Sequence, residues 1–118
     1  MTTPVPPDDC IFCKIVAGDL PAEVVHASDS SVAFKDLNPQ APTHFLVIPR
    51  SHYANAAELA VHEPSALADL FTTARDVAEE KGLEGYRAVF NTGAAAQQTV
   101  FHAHLHVLAG RELTWPPG

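Results

Sequence analysis

The segment His102-Ala103-His104-Leu105-His106-Val107-Leu108 places three of the chain's seven histidines at alternate positions. On a strand, residues two apart share a face, so the three imidazoles point one way. Phe101, Ala103, Leu105 and Val107 would then point the other way, into a core. Imidazoles pack no better than Thr or Val, so chemistry accounts for them better than packing does. Two chemistries are open. Alternate neutral imidazoles chelate a catalytic metal, or one imidazole attacks an electrophile while a neighbour handles charge or protons. No Asp or Glu flanks the run to serve as the base of a metal centre, which favours the nucleophile. The two cysteines, Cys10 and Cys13, form a C-x-x-C pair. A redox pair is expected at a strand-to-helix turn, whereas this pair follows a proline-rich stretch, so half of a metal site suits it better. Zinc takes four tetrahedral N/S ligands, and His26, His44, His52, His62 and His102 are the candidates for the other two.

The elements that must position these groups read as α+β. Ile11 to Val16 suits a short N-terminal helix, stopped by Gly18 and Pro21. Glu23 to Ala27 and Ser31 to Asp36 read as a hairpin, followed by a proline-blocked loop over 38–42. His44 to Ile48 is β-rich. Pro64 to Lys81 is the clearest helix, with Leu67, Leu70, Phe71, Ala74, Val77 and Ala78 on one face, Pro64 at its start and Gly82 at its exit. Tyr86 to Asn91 and Ala103 to Leu108 complete five strands, with a loop from Gly93 to Thr99 between them. An antiparallel sheet with one main helix (about 64–82) against it is the expectation. Five short strands leave sheet edges, and pairing with a second copy covers an edge, so a homodimer is expected.

The chain has 118 residues, enough for one core, and residues 10–118 are expected to form a single domain behind a flexible tail over 1–9. Its net charge of -7 opposes general nucleic-acid binding. No apolar run is long enough to span a membrane, and the start of the chain lacks the pattern of a secretion signal. A cytoplasmic protein is expected.

The histidine run resembles the His-x-His-x-His-x-x motif of the histidine triad family. Asp36-Leu37-Asn38-Pro39-Gln40-Ala41-Pro42-Thr43-His44-Phe45-Leu46-Val47-Ile48-Pro49 resembles the second signature of its HINT branch, and Trp115-Pro116-Pro117-Gly118 resembles that branch's ending. The likeness runs from about Cys10 to Gly118. It implies a symmetric dimer and hydrolysis of purine nucleoside phosphoramidates, or related nucleoside monophosphate esters, to the nucleoside monophosphate. His104 is implied as the nucleophile, with His106 on the phosphate and His44 assisting His104. Asn91, Gln98 and Thr99 are implied on the phosphate side, and Asp36 on the ribose hydroxyls, where an acceptor-only carboxylate suits a diol. Phe12, Ile15, Leu20, Phe34 and Leu37 match a purine slot, although simple core burial would otherwise be the reading. Trp115 is implied near the partner's site. The zinc-containing bacterial members imply one structural zinc per chain on Cys10, Cys13, His52 and His102, with no catalytic metal. One departure stands out. Gln97 occupies a position where the family usually has glycine, in a loop that must approach a phosphate closely. Two rival readings remain: a metallohydrolase built on the histidine run, and a nucleotide-binding or scaffold module with negligible turnover.

Overall fold

The computed structural model describes residues 7–118. Helix α1 (Ile11–Ala17) starts where the Cys10 sulfur accepts from the Cys13 amide and ends at Gly18, whose φ of 81° supplies the left-handed cap. Strands β1 (Val24–Ala27), β2 (Ser31–Lys35) and β3 (Thr43–Pro49) follow as a meander. Helices α2 (Ala56–His62) and α3 (Pro64–Glu80), then β4 (Arg87–Val89), a 3-10 turn (Ala94–Ala96) and β5 (Leu105–Ala109), complete the chain. The sheet is antiparallel in the order β1-β2-β3-β5-β4. No helix among the described residues is long and apolar enough to cross a membrane.

Period-two alternation divides the strands between two faces. Phe45 and Val47 of β3 and Leu105 and Val107 of β5 pack with Leu70, Ala74 and Val77 of α3. The opposite residues, Leu46 and Ile48 of β3, pack with Phe34, Cys10 and Phe12 under α1. His44, His104 and His106 share this second face, so α1 and the sheet together frame the chemistry. On the first face a polar clamp holds the β1–β2 turn to α3. Asp69 accepts from the hydroxyls of Ser28 (2.6 Å) and Ser30 (2.8 Å).

The structure departs from the sequence-based expectation at several points. Helix α2 was not expected, because it buries only Leu59 and has no apolar stripe to read. Its signal is the cap, where Asn55 accepts from the Glu58 amide. Phe71 is exposed, and Ala66 and Thr73 take up the buried face of α3. The last ladder starts at Leu105 and not at Ala103, and Phe101 is 51% exposed instead of pointing into the core. Residues 102–104 nevertheless keep the alternation, with Ala103 in the helix-side core and its neighbours facing away. The expected tail over 1–9 falls mostly outside the described residues, and at its end the Cys10 amide donates to the Pro7 carbonyl in a turn.

Candidate functional site

His104 is set by its own backbone. Its Nδ1–H donates to the carbonyl of His102 at 2.8 Å, which makes Nε2 the lone-pair nitrogen. Burial holds its pKa below the ordinary histidine value, against the opposing pull of that hydrogen bond and of Asp36. His106 lies beside it, with ring centroids 5.0 Å apart, and its pKa is pushed down to about 4 by burial first and by His104 and His44 next. Both rings are therefore neutral near pH 7.

His44 completes a directed chain. The Gln40 amide N–H donates to His44 Nδ1 at 3.0 Å, so that nitrogen carries the lone pair and Nε2 carries the proton. Nε2–H then faces His106 Nδ1 at 2.9 Å, with Asp36 Oδ2 at 3.4 Å. His44 thus reaches His106 and not His104, contrary to the role implied by its motif. The same tautomer argues against a catalytic metal on Asp36, His44 and His106, although their donor atoms lie within 4.8 Å of one another. Ligation through Nε2 would require a proton on Nδ1, which already faces an N–H.

A cavity of about 430 Å³ opens in front of these rings. Phe12, Ile15, Leu20, Phe34, Asp36, Leu37, Thr99, His104 and His106 all line it, as the sequence expectation had them. Leu37 does so from a side chain 99% exposed, as a rim and not a wall. Leu46 lines it too and was missed, although its spacing of two from His44 put it on the same face. Two residues expected at the nucleotide lie elsewhere. The Gln98 amide is spent on the protein, donating to the carbonyls of Ala54 (2.7 Å) and Val100 (3.0 Å) and accepting from the Gly93 amide (2.9 Å). It braces the loop, and the Gln98 backbone N–H is spent there too, donating to the Gly93 carbonyl at 3.1 Å. Asn91 does not line the cavity. Trp115 is 81% exposed, with the Arg87 guanidinium 5.9 Å from its ring centroid.

Next to His104 in the chain, His102 joins Cys10, Cys13 and His52, and the four bring donor atoms within 4.8 Å of one another. His102 Nε2–H donates to the Pro49 carbonyl at 2.9 Å, which leaves Nδ1 as the lone pair facing the sulfurs. From Nδ1 the two sulfurs stand at 3.5 Å and His52 Nδ1 at 3.1 Å. A tetrahedral zinc with ligands at ~2.0–2.3 Å sets edges of roughly 3.3–3.8 Å, close to this spacing. Burial, then the adjacent Cys10 thiol, pushes Cys13 up to about 12, so a cation is what would bring this thiol to its thiolate form. The donor set fits a closed, structural metal.

Residues 9–114 match the family model described as "Scavenger mRNA decapping enzyme C-term binding". An uncharacterized HIT-like protein of Synechococcus elongatus is 47% identical over 94% of this chain and 98% of its own length. The chain belongs to the histidine triad family. A 14 kDa zinc-binding protein of Zea mays is 42% identical to this histidine triad chain, over 92% of it and 87% of the maize protein. The crystal structure of a HIT family hydrolase from Legionella pneumophila superposes with a TM-score of 0.88 at 45% identity, covering 93% of this chain and all of that one. The fold of this histidine triad protein is thus that of family hydrolases.

Two expectations follow from the site's local energetics. Gln97 has φ of 70° and is the one non-glycine residue with positive φ among the described residues. An L-residue pays ~1–2 kcal/mol for this conformation, partly offset by glycine's greater entropy loss. Gln97→Gly is expected to stabilise the protein by about 0.5–1 kcal/mol in urea unfolding. The second concerns pH. The folded pKa values of His44 and His106 lie below the ordinary ~6.5. The unfolded chain therefore binds more protons between that value and about 4, the His106 value. Their contribution to stability is complete above the upper bound and declines as pH falls through this window. His106→Asn is expected to show a shallower acid loss than wild type in urea titrations at matched pH.

Proposed function

We propose that this protein hydrolyses purine nucleoside phosphoramidates, or related nucleoside monophosphate esters, through a nucleotidylated His104. The observation that carries this reading is the His104 tautomer, with Nδ1–H on the His102 carbonyl and Nε2 as the lone pair beside an apolar cavity that also holds Asp36. The base would lie among Phe12, Ile15 and Phe34, with the ribose hydroxyls donating to Asp36. His104 Nε2 attacks phosphorus; the P–N bond breaks and the electron pair leaves with the amine, which takes up a proton from solvent. Water then attacks the same phosphorus and releases a proton to solvent, the Nε2–P bond breaks with its electron pair returning to Nε2, and the nucleoside monophosphate departs. The His106 Nε2–H stabilises charge on the phosphoryl oxygens in both steps.

Cys10, Cys13, His52 and His102 would hold one zinc, whose contribution is structural: with its ligand positions filled by protein it fixes the backbone from which His104 projects. Thiolate ligands of this kind suit a reducing, cytoplasmic setting. A homodimer through the free edge of β4 is part of the same reading. Phe71 is exposed there, in edge contact with Phe90 at 6.0 Å, and Phe71→Glu is expected to convert the dimer to monomer in sedimentation velocity.

The test is intact mass after rapid quench of the protein with an adenosine phosphoramidate. An added adenylyl group that appears and decays within a turnover supports the reading. Turnover with no adduct at any quench time would sink it.

A further inference from the structure

The loop before β3 does more than connect strands. The direction of the His44–His106 chain is set at its far end by a backbone amide, since an N–H can only donate. With the Gln40 N–H on His44 Nδ1 at 3.0 Å, His44 has one proton position left, Nε2, and that proton faces His106 Nδ1 at 2.9 Å. His106 must then keep its own proton on Nε2. Were the first bond absent, His44 could carry its proton on Nδ1 and accept from His106, reversing the chain and turning a lone pair toward the phosphate.

Three contacts hold Gln40 and its loop in place. The Gln40 side chain donates to the Asn38 carbonyl at 2.9 Å, and the Asn38 amide donates to Asp36 Oδ1 at 2.8 Å. From the other side Arg111 Nη2 donates to the Gln40 carbonyl at 3.3 Å. Gly110, at φ +94°, lets the turn after β5 press against the loop so closely that a Cβ there would meet Pro42 Cβ at 2.8 Å. That turn directly follows the strand carrying His106, so the ring and its lock are fastened to the same element.

We infer that the Gln40 N–H, on a residue seated by the Gly110–Arg111 turn, is a tautomer lock that makes His44 a one-way proton donor to His106. Gln40 acts as a positioning residue and touches no reacting atom. The inference rests on the hydrolase reading for its consequence, while its structural content is readable without turnover.

The test uses the full chain purified with its metal and labelled with ¹⁵N in the histidine rings. In long-range proton–nitrogen spectra near pH 7, His44 and His106 are expected to be Nε2–H tautomers with unprotonated Nδ1. A Nδ1–H tautomer at His44, or a mixture, would overturn the lock. Gln40→Pro removes the N–H. It is expected to let both His44 tautomers appear and to lower kcat by roughly 10- to 100-fold with KM little changed. A folded Gln40→Pro protein with the wild-type tautomer and kcat would also overturn it. If that variant does not fold, Arg111→Ala, at an exposed site, takes its place. A second His44 tautomer with a several-fold lower kcat is expected there, and an unchanged spectrum and kcat would count against the seating. Absence of phosphoramidate turnover in wild type would defeat the proposed function alone, because the ring spectra still report on the lock.

Discussion

His104→Ala is expected to lower kcat/KM for an adenosine phosphoramidate by roughly 10⁴- to 10⁶-fold, the scale on which removing a nucleophile acts in other hydrolases. The fold should survive, because the ring lines the cavity and the core on the helix side of the sheet does not include it. Equilibrium binding of AMP should change little by comparison, since the proposed base and ribose contacts would come from α1, β2 and Asp36. This split separates the covalent reading from the binding-module alternative: negligible turnover in wild type, with AMP still bound, would favour the latter. A residual activity within about tenfold of wild type would mean that another group attacks phosphorus. The smaller site substitutions are predicted to act on proton placement and so to leave more activity behind.

Removal of the proposed zinc should produce the second large effect, on stability first. Structural zinc in small domains carries apparent binding free energies of ~10–16 kcal/mol. Here the helix-side core includes none of the four ligands, so only part of that range should appear. Chelation, or Cys13→Ser, is expected to cost at least about 3 kcal/mol and to lower Tm by roughly 10 °C or more. Activity should fall only where the fold loosens, because His102 both faces the sulfurs and supplies the carbonyl that holds His104 Nδ1–H. Differential scanning calorimetry run beside kinetics at low temperature distinguishes the cases. A metal-free protein with wild-type Tm would remove the structural zinc. Loss of the chemical step in a fully folded, metal-free protein would instead revive the metallohydrolase.

Alternation makes the triad legible in the sequence. A period of two put three imidazoles on one face, and it holds even across residues 102–104, which precede the ladder. The C-x-x-C spacing likewise announced half of a ligand set, though only the resemblance chose His52 and His102 from five candidates. Phe101 and Phe71 were misplaced because hydrophobicity gives a preference for burial and not an address. Gln98 was assigned to a ligand because its type suits one. Its bond to the distant Ala54 carbonyl, beside two within its own loop, could not be read from spacing.

The amino-acid sequence by itself determined the α+β architecture, the shared face of the histidines and the chemistry available to them. Those properties depend on local periodicity and side-chain type, which a linear chain displays. Only the tertiary structure decided where the protons sit. The carbonyls of His102 and Pro49 and the amide of Gln40 fix three imidazole tautomers. Backbone groups are the same at every residue, so their roles exist only once folding aims each of them at a particular ring.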